Sequence, residues 1–173
     1  MPVPSVYPRL EPLLPLVRKP VQYVGGELNS VVKDWDSAEV RWALMYPDAY
    51  EVGVPNQGIQ ILYEVLNGCD GVLAERTYSV WPDLESLMRE HQVPQFTVDA
   101  HRPVRAFDVL GVSFATELGY TNLLTALDLA GIPGAVAAGA AAVRRAQAAA
   151  GVHSAADVSY RAGTAGLHNA QDR

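Results

Sequence analysis

The 173-residue chain holds a single cysteine, Cys69. One thiol excludes an internal disulfide framework, and it excludes a thiolate-ligated metal or iron–sulfur cluster held by this chain alone. No apolar run is long enough to span a membrane, and the Pro-rich start (Pro2, Pro4, Pro8) does not resemble a signal peptide. The expectation is a cytoplasmic chain with no membrane partner. No GxGxxG is present. Gly53 and Gly58 stand at P-loop spacing, but Ile59 follows where a Walker site needs Lys. Charged residues make up 18% of the chain against 49% hydrophobic, a globular balance. Of the net −6, residues 134–173 carry four Arg and two Asp, which leaves −8 on residues 1–133. An acidic body argues against a nucleic-acid surface formed by this region alone.

The chain is organised around residues 40–67. Val40 to Met45 is a short apolar run that reads as a buried strand, about 40–46, and Tyr46-Pro47-Asp48 reads as its stop. A loop with Gly53, Pro55, Asn56 and Gly58 follows. Ile59, Leu62, Tyr63 and Leu66 then fall at i, i+3, i+4 and i+7, which predicts a helix over about 57–67 with one buried face. Strand, Gly-containing loop and helix form the opening unit of a doubly wound α/β domain. Ligands in such folds sit at the carboxyl ends of the strands, here residues 46–58.

Upstream, Leu10, Leu13, Leu14 and Val17 have helical spacing, but Pro12 and Pro15 limit them to a turn or two packed on the domain edge. Gly25-Gly26 reads as a turn and Val31-Val32 as a short strand. Downstream, Asn67-Gly68 and Asp70-Gly71 are turn signals. Val72 to Val80 reads as a second strand, and Asp83 as the N-cap of a helix with Leu84, Leu87 and Met88 as its stripe. Pro94 to Val98 reads as a short strand. Phe107 to Phe114 is near-continuously apolar, as in a strand buried on both faces of a parallel sheet. Thr116-Glu117 read as the start of a last helix, with Tyr120, Leu123, Leu124 and Leu127 buried and Gly131 as its stop. The alternation predicts an α/β fold: a Rossmann-like or flavodoxin-like doubly wound parallel sheet, incomplete at its C-terminal end.

After Pro133 the composition changes. Of the last 40 residues 15 are Ala and 5 are Gly, and none is Lys, Glu, Pro, Trp or Phe. Residues 135–150 have the propensity of an Ala-rich helix, and the remainder reads as disordered. The strand that should follow Gly131 is missing. The reading is an out-of-frame or spliced tail, with a native flexible linker as the alternative. The expected organisation is an N-terminal extension over 1–36 packing on the core, a Rossmann-like domain over 37–133 and the tail over 134–173.

The stretches YVGGELNSVVKDW (23–35), ALMYPDAYEVGVPNQGIQILYEVLN (43–67), DGVLAERTYSVWPDLESLMRE (70–90) and FDVLGVSFATELGYTNLLTALDLAGIP (107–133) together resemble the N-terminal part of cobalamin-binding-domain radical S-adenosylmethionine (radical SAM) proteins. The resemblance covers roughly residues 5–133 and stops at Pro133. It implies a cobalamin-binding-type domain that precedes a radical SAM barrel. That barrel carries CxxxCxxC, three thiolates holding a [4Fe–4S] cluster that cleaves S-adenosylmethionine. This chain has none of that motif and is expected to be a front module that cannot perform the radical step. The implied partners are cobalamin or a similar small molecule and the barrel itself.

Cobalamin domains of the familiar kind carry DxHxxG after the first strand. Here the place reads Asp48-Ala49-Tyr50-Glu51-Val52-Gly53, so Asp and Gly match and the His is replaced by Tyr50. A phenol is a poor cobalt ligand beside a neutral imidazole, so cobalamin would bind without an axial His. The plain alternative is that Asp48 caps a turn and Gly53 permits a tight loop. Ser113 fits the place of the Ser that contacts the cofactor's nucleotide tail, with Thr116 and Glu117 beside it, or else it is an ordinary strand end. Asn56, Gln57 and Gly58 stand at a helix N-terminus, where they either hold an anion or simply cap. The Gly-Gly pair expected after a later strand is absent. The four histidines read as structural or solvated, and Glu51, Glu117 and Asp99 are a less favoured acid–base set. The rival reading is a flavodoxin-like interaction or regulatory domain without catalysis. Its phosphoacceptor version needs a late Lys, and Lys33 is the last in the chain.

Overall fold

The computed structural model describes residues 3–115, 117 and 119–133. The expectations placed on residues 134–173 and on Thr116 lie outside the described residues.

Residues 40–49 open on a short apolar run, and its consecutive buried residues fit a strand of a parallel sheet covered on both faces. They form β1, Val40–Ala49, whose middle from Ala43 to Tyr46 is buried. The strand does not stop at Tyr46 as the Pro signal suggested. It continues through Pro47 and Asp48 by an irregularity in register between Tyr46 and Ala49. A proline donates no ladder hydrogen bond, so it is tolerated where the ladder is already interrupted. After the N-terminal helix α1, Tyr7–Leu10, and β1 come the short helix α2, Tyr50–Gly53, and then α3, Gln57–Gly68. Asn56 caps α3, its Oδ1 accepting from the Ile59 N–H at 3.1 Å.

β2, Val72–Ser79, runs parallel to β1 and is buried over six of its eight residues. The helix α4, Pro82–Glu90, is capped at Trp81 rather than Asp83, because Pro82 takes the first helical position. Asp83 lies in the first turn, where its Oδ2 accepts the Arg18 backbone N–H at 2.9 Å. The expected strand over 94–98 is only an isolated bridge between Phe96 and Pro103. Its amides bond to loop and strand carbonyls instead, such as Val98 to Arg76 at 2.8 Å. No strand forms at Val31-Val32 either; Gly25 and Gly26 have φ of +66° and +79°, but the turn falls at Leu28-Asn29, closed by Ser30 N–H to Glu27 O at 3.0 Å.

β3, Val109–Val112, pairs in parallel with β1, giving the sheet order β2-β1-β3. Its four residues are half-buried rather than buried on both faces as the apolar run predicted, because β3 is an outer strand among the described residues. Helix α5, Gly119–Leu129, begins after Glu117 rather than at Thr116-Glu117. It turns to the core not the long stripe but small residues, Gly119, Ala126 and the following Ala130; Tyr120 and Leu124 are exposed. Gly131, at φ +64°, ends it as expected, with Ile132 N–H reaching back to Leu127 O at 2.9 Å.

Helices lie on both faces of this all-parallel sheet. Leu44, Tyr46, Ala74 and Tyr78 pack with Ile59 and Tyr63 of α3, and Ala43 on the opposite face packs with Val104 and Ala130. A separate core joins the N-terminal turns to α4 through Leu10, Leu13, Leu14, Val17, Leu84 and Met88. Among the described residues no helix is long and apolar enough to cross a membrane.

Candidate functional site at the carboxyl ends of β1 and β3

The strand order reverses at β1: the first crossover leads to β2 on one side and the next to β3 on the other. The crevice at the carboxyl ends of β1 and β3 is therefore the topological switch point, where open α/β sheets receive ligands. Two contacts join the loops there. Ser113 N–H donates to Met45 O at 2.9 Å, and Asn122 Nδ2 of α5 donates to Pro47 O at 3.1 Å. Gly119 is required at this junction, since a Cβ there would lie 2.9 Å from Pro47 Cγ. Ser113 and Asp48 thus lie at the joined carboxyl ends of β3 and β1, and Glu117 lies in the turn before α5. Ser113 and Asp48 are half-buried and Glu117 exposed. Asp48 Oδ1 accepts its neighbour Ala49 N–H at 2.7 Å.

Tyr50 and Gly53 are tied elsewhere. The Tyr50 ring meets Tyr78 of β2 edge-on at 5.5 Å, and its hydroxyl donates to Glu27 Oε1 at 2.8 Å. Burial and that hydrogen bond push the Tyr50 phenol up to about 12. Gly53 packs against the Tyr78 ring: a Cβ would fall 2.4 Å from Tyr78 Cδ1. Asn56 is occupied as the cap of α3, and Gln57 and Gly58 are exposed on its first turn. Glu51 pairs with Lys19 at 2.6 Å.

Behind Tyr50 lies a polar network that sequence spacing did not reveal. Arg76 of β2 donates from Nη2 to Asp99 Oδ1 at 2.6 Å, to Glu27 Oε2 at 3.1 Å and to Ser30 Oγ at 3.0 Å. Tyr63 of α3 donates to Asp99 Oδ1 at 3.1 Å and lies under the Arg76 guanidinium at 4.3 Å. Burial pushes the Glu27 carboxyl up, but the Tyr50 hydroxyl and the Arg76 charge outweigh it and hold it below the usual range. Burial and the Asp99 charge raise Tyr63 to about 12. Asp99 therefore belongs to this network, and its partners are Arg76 and Tyr63 rather than Glu51 or Glu117. The one available signal was a charged pair, Glu75-Arg76, inside a buried strand with no other charge. Glu75 bonds Arg102 and Thr97 on the other face, and burial raises its carboxyl.

His101 is structural, buried with Nε2 2.8 Å from Tyr23 O, and His91 caps α4 at its exposed end. Cys69 is exposed at the end of α3. Among the described residues no group of three or more His, Cys, Asp or Glu is arranged to hold a metal ion.

Comparison with protein-family models matches radical SAM proteins, N-terminal, over residues 58–145. The matched span includes all of β2, α4, β3 and α5 and extends past Pro133, where the resemblance quoted above ends. No curated protein and no solved structure matches the chain. The match covers more than half of the sequence: the chain belongs to the family of radical SAM proteins, N-terminal.

Proposed function

We propose that the chain is the cobalamin-binding-type N-terminal module of a radical SAM iron–sulfur enzyme, and that the cofactor lies at the β1/β3 switch point without an axial protein ligand. The observation that supports this most is the state of Tyr50. The loop stands where a lower cobalt ligand belongs, yet its phenol is protonated far above neutral pH and already donates to Glu27. Asp48, Ser113 and Glu117 remain at the crevice to bond the amide side chains and nucleotide tail of a corrinoid. When bound, cobalamin supplies a cobalt centre with exchangeable axial positions. This chain's part is to seat it and leave those positions to other groups.

Radical SAM proteins at full length use an iron–sulfur cluster and S-adenosylmethionine. The cluster does not fit here, because three thiolates are needed and Cys69 is the sole cysteine. The barrel of the full-length family is accordingly the proposed partner, the module itself is not the catalyst, and the setting is cytoplasmic. The test is a titration of the folded chain with hydroxocobalamin, followed by the visible spectrum, alongside Tyr50→Phe and Tyr50→His. The expected result is saturable binding with a base-off spectrum, unchanged in Tyr50→Phe. A folded chain that shows no saturable change would sink the proposal.

A further inference from the structure

A cleft of about 750 Å³ opens between the end of α4, the turn before β3 and the end of α5. Its volume is that of a small-molecule site. It is not the switch-point crevice: α5 starts there at Gly119 and reaches the cleft at Gly131, about 18 Å along the helix axis. The floor is apolar, with Met88, Val93 and Ala130 buried and Leu129 half-buried. The exposed Arg89, Arg105 and Asp128 line its mouth.

The hydrogen-bonding groups around this cleft are one-sided. At the end of α5 the carbonyls of Leu127, Asp128 and Leu129 accept from Ile132, Gly131 and Gln95 at 2.9, 2.9 and 3.3 Å. At the end of α4 those of Leu87 and Met88 accept from His91 and Val93, each at 2.9 Å. The Gln92 carbonyl accepts from Arg9. The helix-end acceptors are thus taken up. Arg89 is also engaged, donating to Asp128 Oδ2 at 2.6 Å and to Glu85 Oε1 at 3.0 Å. Arg105 differs. Among the described residues its guanidinium has no hydrogen bond or ion pair, and it carries five donors and a permanent charge. An apolar floor beside a free guanidinium suits a ligand with an apolar body and an acceptor-only, anionic head.

We infer that this cleft binds a small organic anion, its apolar body on Met88, Val93 and Leu129 and its carboxylate or phosphate on Arg105. The site takes its ligand whether or not a corrinoid binds at the switch point. The full chain is titrated with phenylacetate, phenyl phosphate and the neutral benzyl alcohol, each followed by amide chemical shifts. Wild type is compared with Arg105→Gln and with Leu62→Ser, a control on α3 across the sheet. The expected result is saturable shifts in residues 88–93, 105–106 and 128–131 with at least one anion, the tighter of the two naming the head group. Affinity should fall about tenfold or more in Arg105→Gln and for the alcohol, and stay unchanged in Leu62→Ser. The site is overturned if neither anion gives saturable shifts there. It is equally overturned if the alcohol binds as tightly as the anions, or if folded Arg105→Gln binds them like wild type.

Discussion

Asp99 accepts the Arg76 backbone N–H and the Arg76 guanidinium, each at 2.6 Å, with the two side chains 1% and 8% exposed. The pair pins the loop after residue 98 to β2, and through Tyr63 it also pins α3. Removing Asp99 leaves the buried Arg76 charge with Glu27 alone at 3.1 Å, and breaking a buried pair costs about 3–5 kcal/mol. Asp99→Ala should lose about that much in urea unfolding. The double variant Asp99→Leu/Arg76→Leu should lose less, because the charge it leaves without Arg76 is Glu27, which is 18% exposed and still accepts from the Tyr50 hydroxyl. Equal losses in single and double variants would show that packing, not charge pairing, holds this junction.

Tyr50 and Tyr63 set the alkaline limit of stability. Both phenols sit at about 12 in the folded chain against an ordinary 10.0. The folded state therefore holds these protons more tightly than the unfolded state. Their stabilisation is fully present below pH 10 and is lost as pH rises from there toward about 12. Urea midpoints measured across this window should fall steadily. The fall should be shallower in Tyr50→Phe/Tyr63→Phe, and phenolate absorbance of the folded wild type should show four tyrosines titrating late, because burial raises Tyr23 and Tyr78 as well.

Gly53 and Gly58 separate packing from permissiveness. A methyl at Gly53 enters the Tyr78 ring at 2.4 Å, so Gly53→Ala should cost about 1–3 kcal/mol from overpacking. A methyl at Gly58 meets only Asn56 Oδ1 at 3.1 Å, and Ala is favoured over Gly in a helix, so Gly58→Ala should stay within about 1 kcal/mol of wild type. Thermal melts of the two variants check the contrast, and equal melts would remove the role assigned to Tyr78.

Ile59 and Leu62 carry the same periodic signal and have different fates. Ile59 is 1% exposed between α3 and the sheet, whereas Leu62 is 47% exposed. Ile59→Ala should cost about 2–5 kcal/mol through the cavity it leaves, and Leu62→Ala well under half of that. Denaturant midpoints of the two variants decide it.

That last pair shows how far periodicity reads. It located α3 within a residue and found Ile59 and Tyr63 on the buried face, but a helix against a flat sheet buries a narrower stripe than i, i+3, i+4, i+7 implies. In α5 the sheet accepts only Gly119, Ala126 and Ala130 at close range, so larger residues that the pattern marked as core turn outward. The crevice was legible because it follows from strand order and from the loop after the first strand. Which loop residues face it was not, since Tyr50 and Ser113 look equally available in one dimension.

The alternation of β1, β2 and β3 with helices, the N-terminal leucine cluster, the turn at Gly131 and the lack of cluster-binding thiols were legible in the sequence itself, whereas the strands expected at 31–32 and 94–98 did not form. Each depends on local periodicity, a backbone preference or a simple count. Tertiary structure alone decided that Tyr50 serves Glu27 and Tyr78, that Asp99 serves Arg76, and that the Phe114 and Tyr120 rings meet. The physical reason is that these are pairings across 6 to 28 positions of sequence. A side chain's partner at such separations is set by sheet register and helix placement, which nothing local encodes.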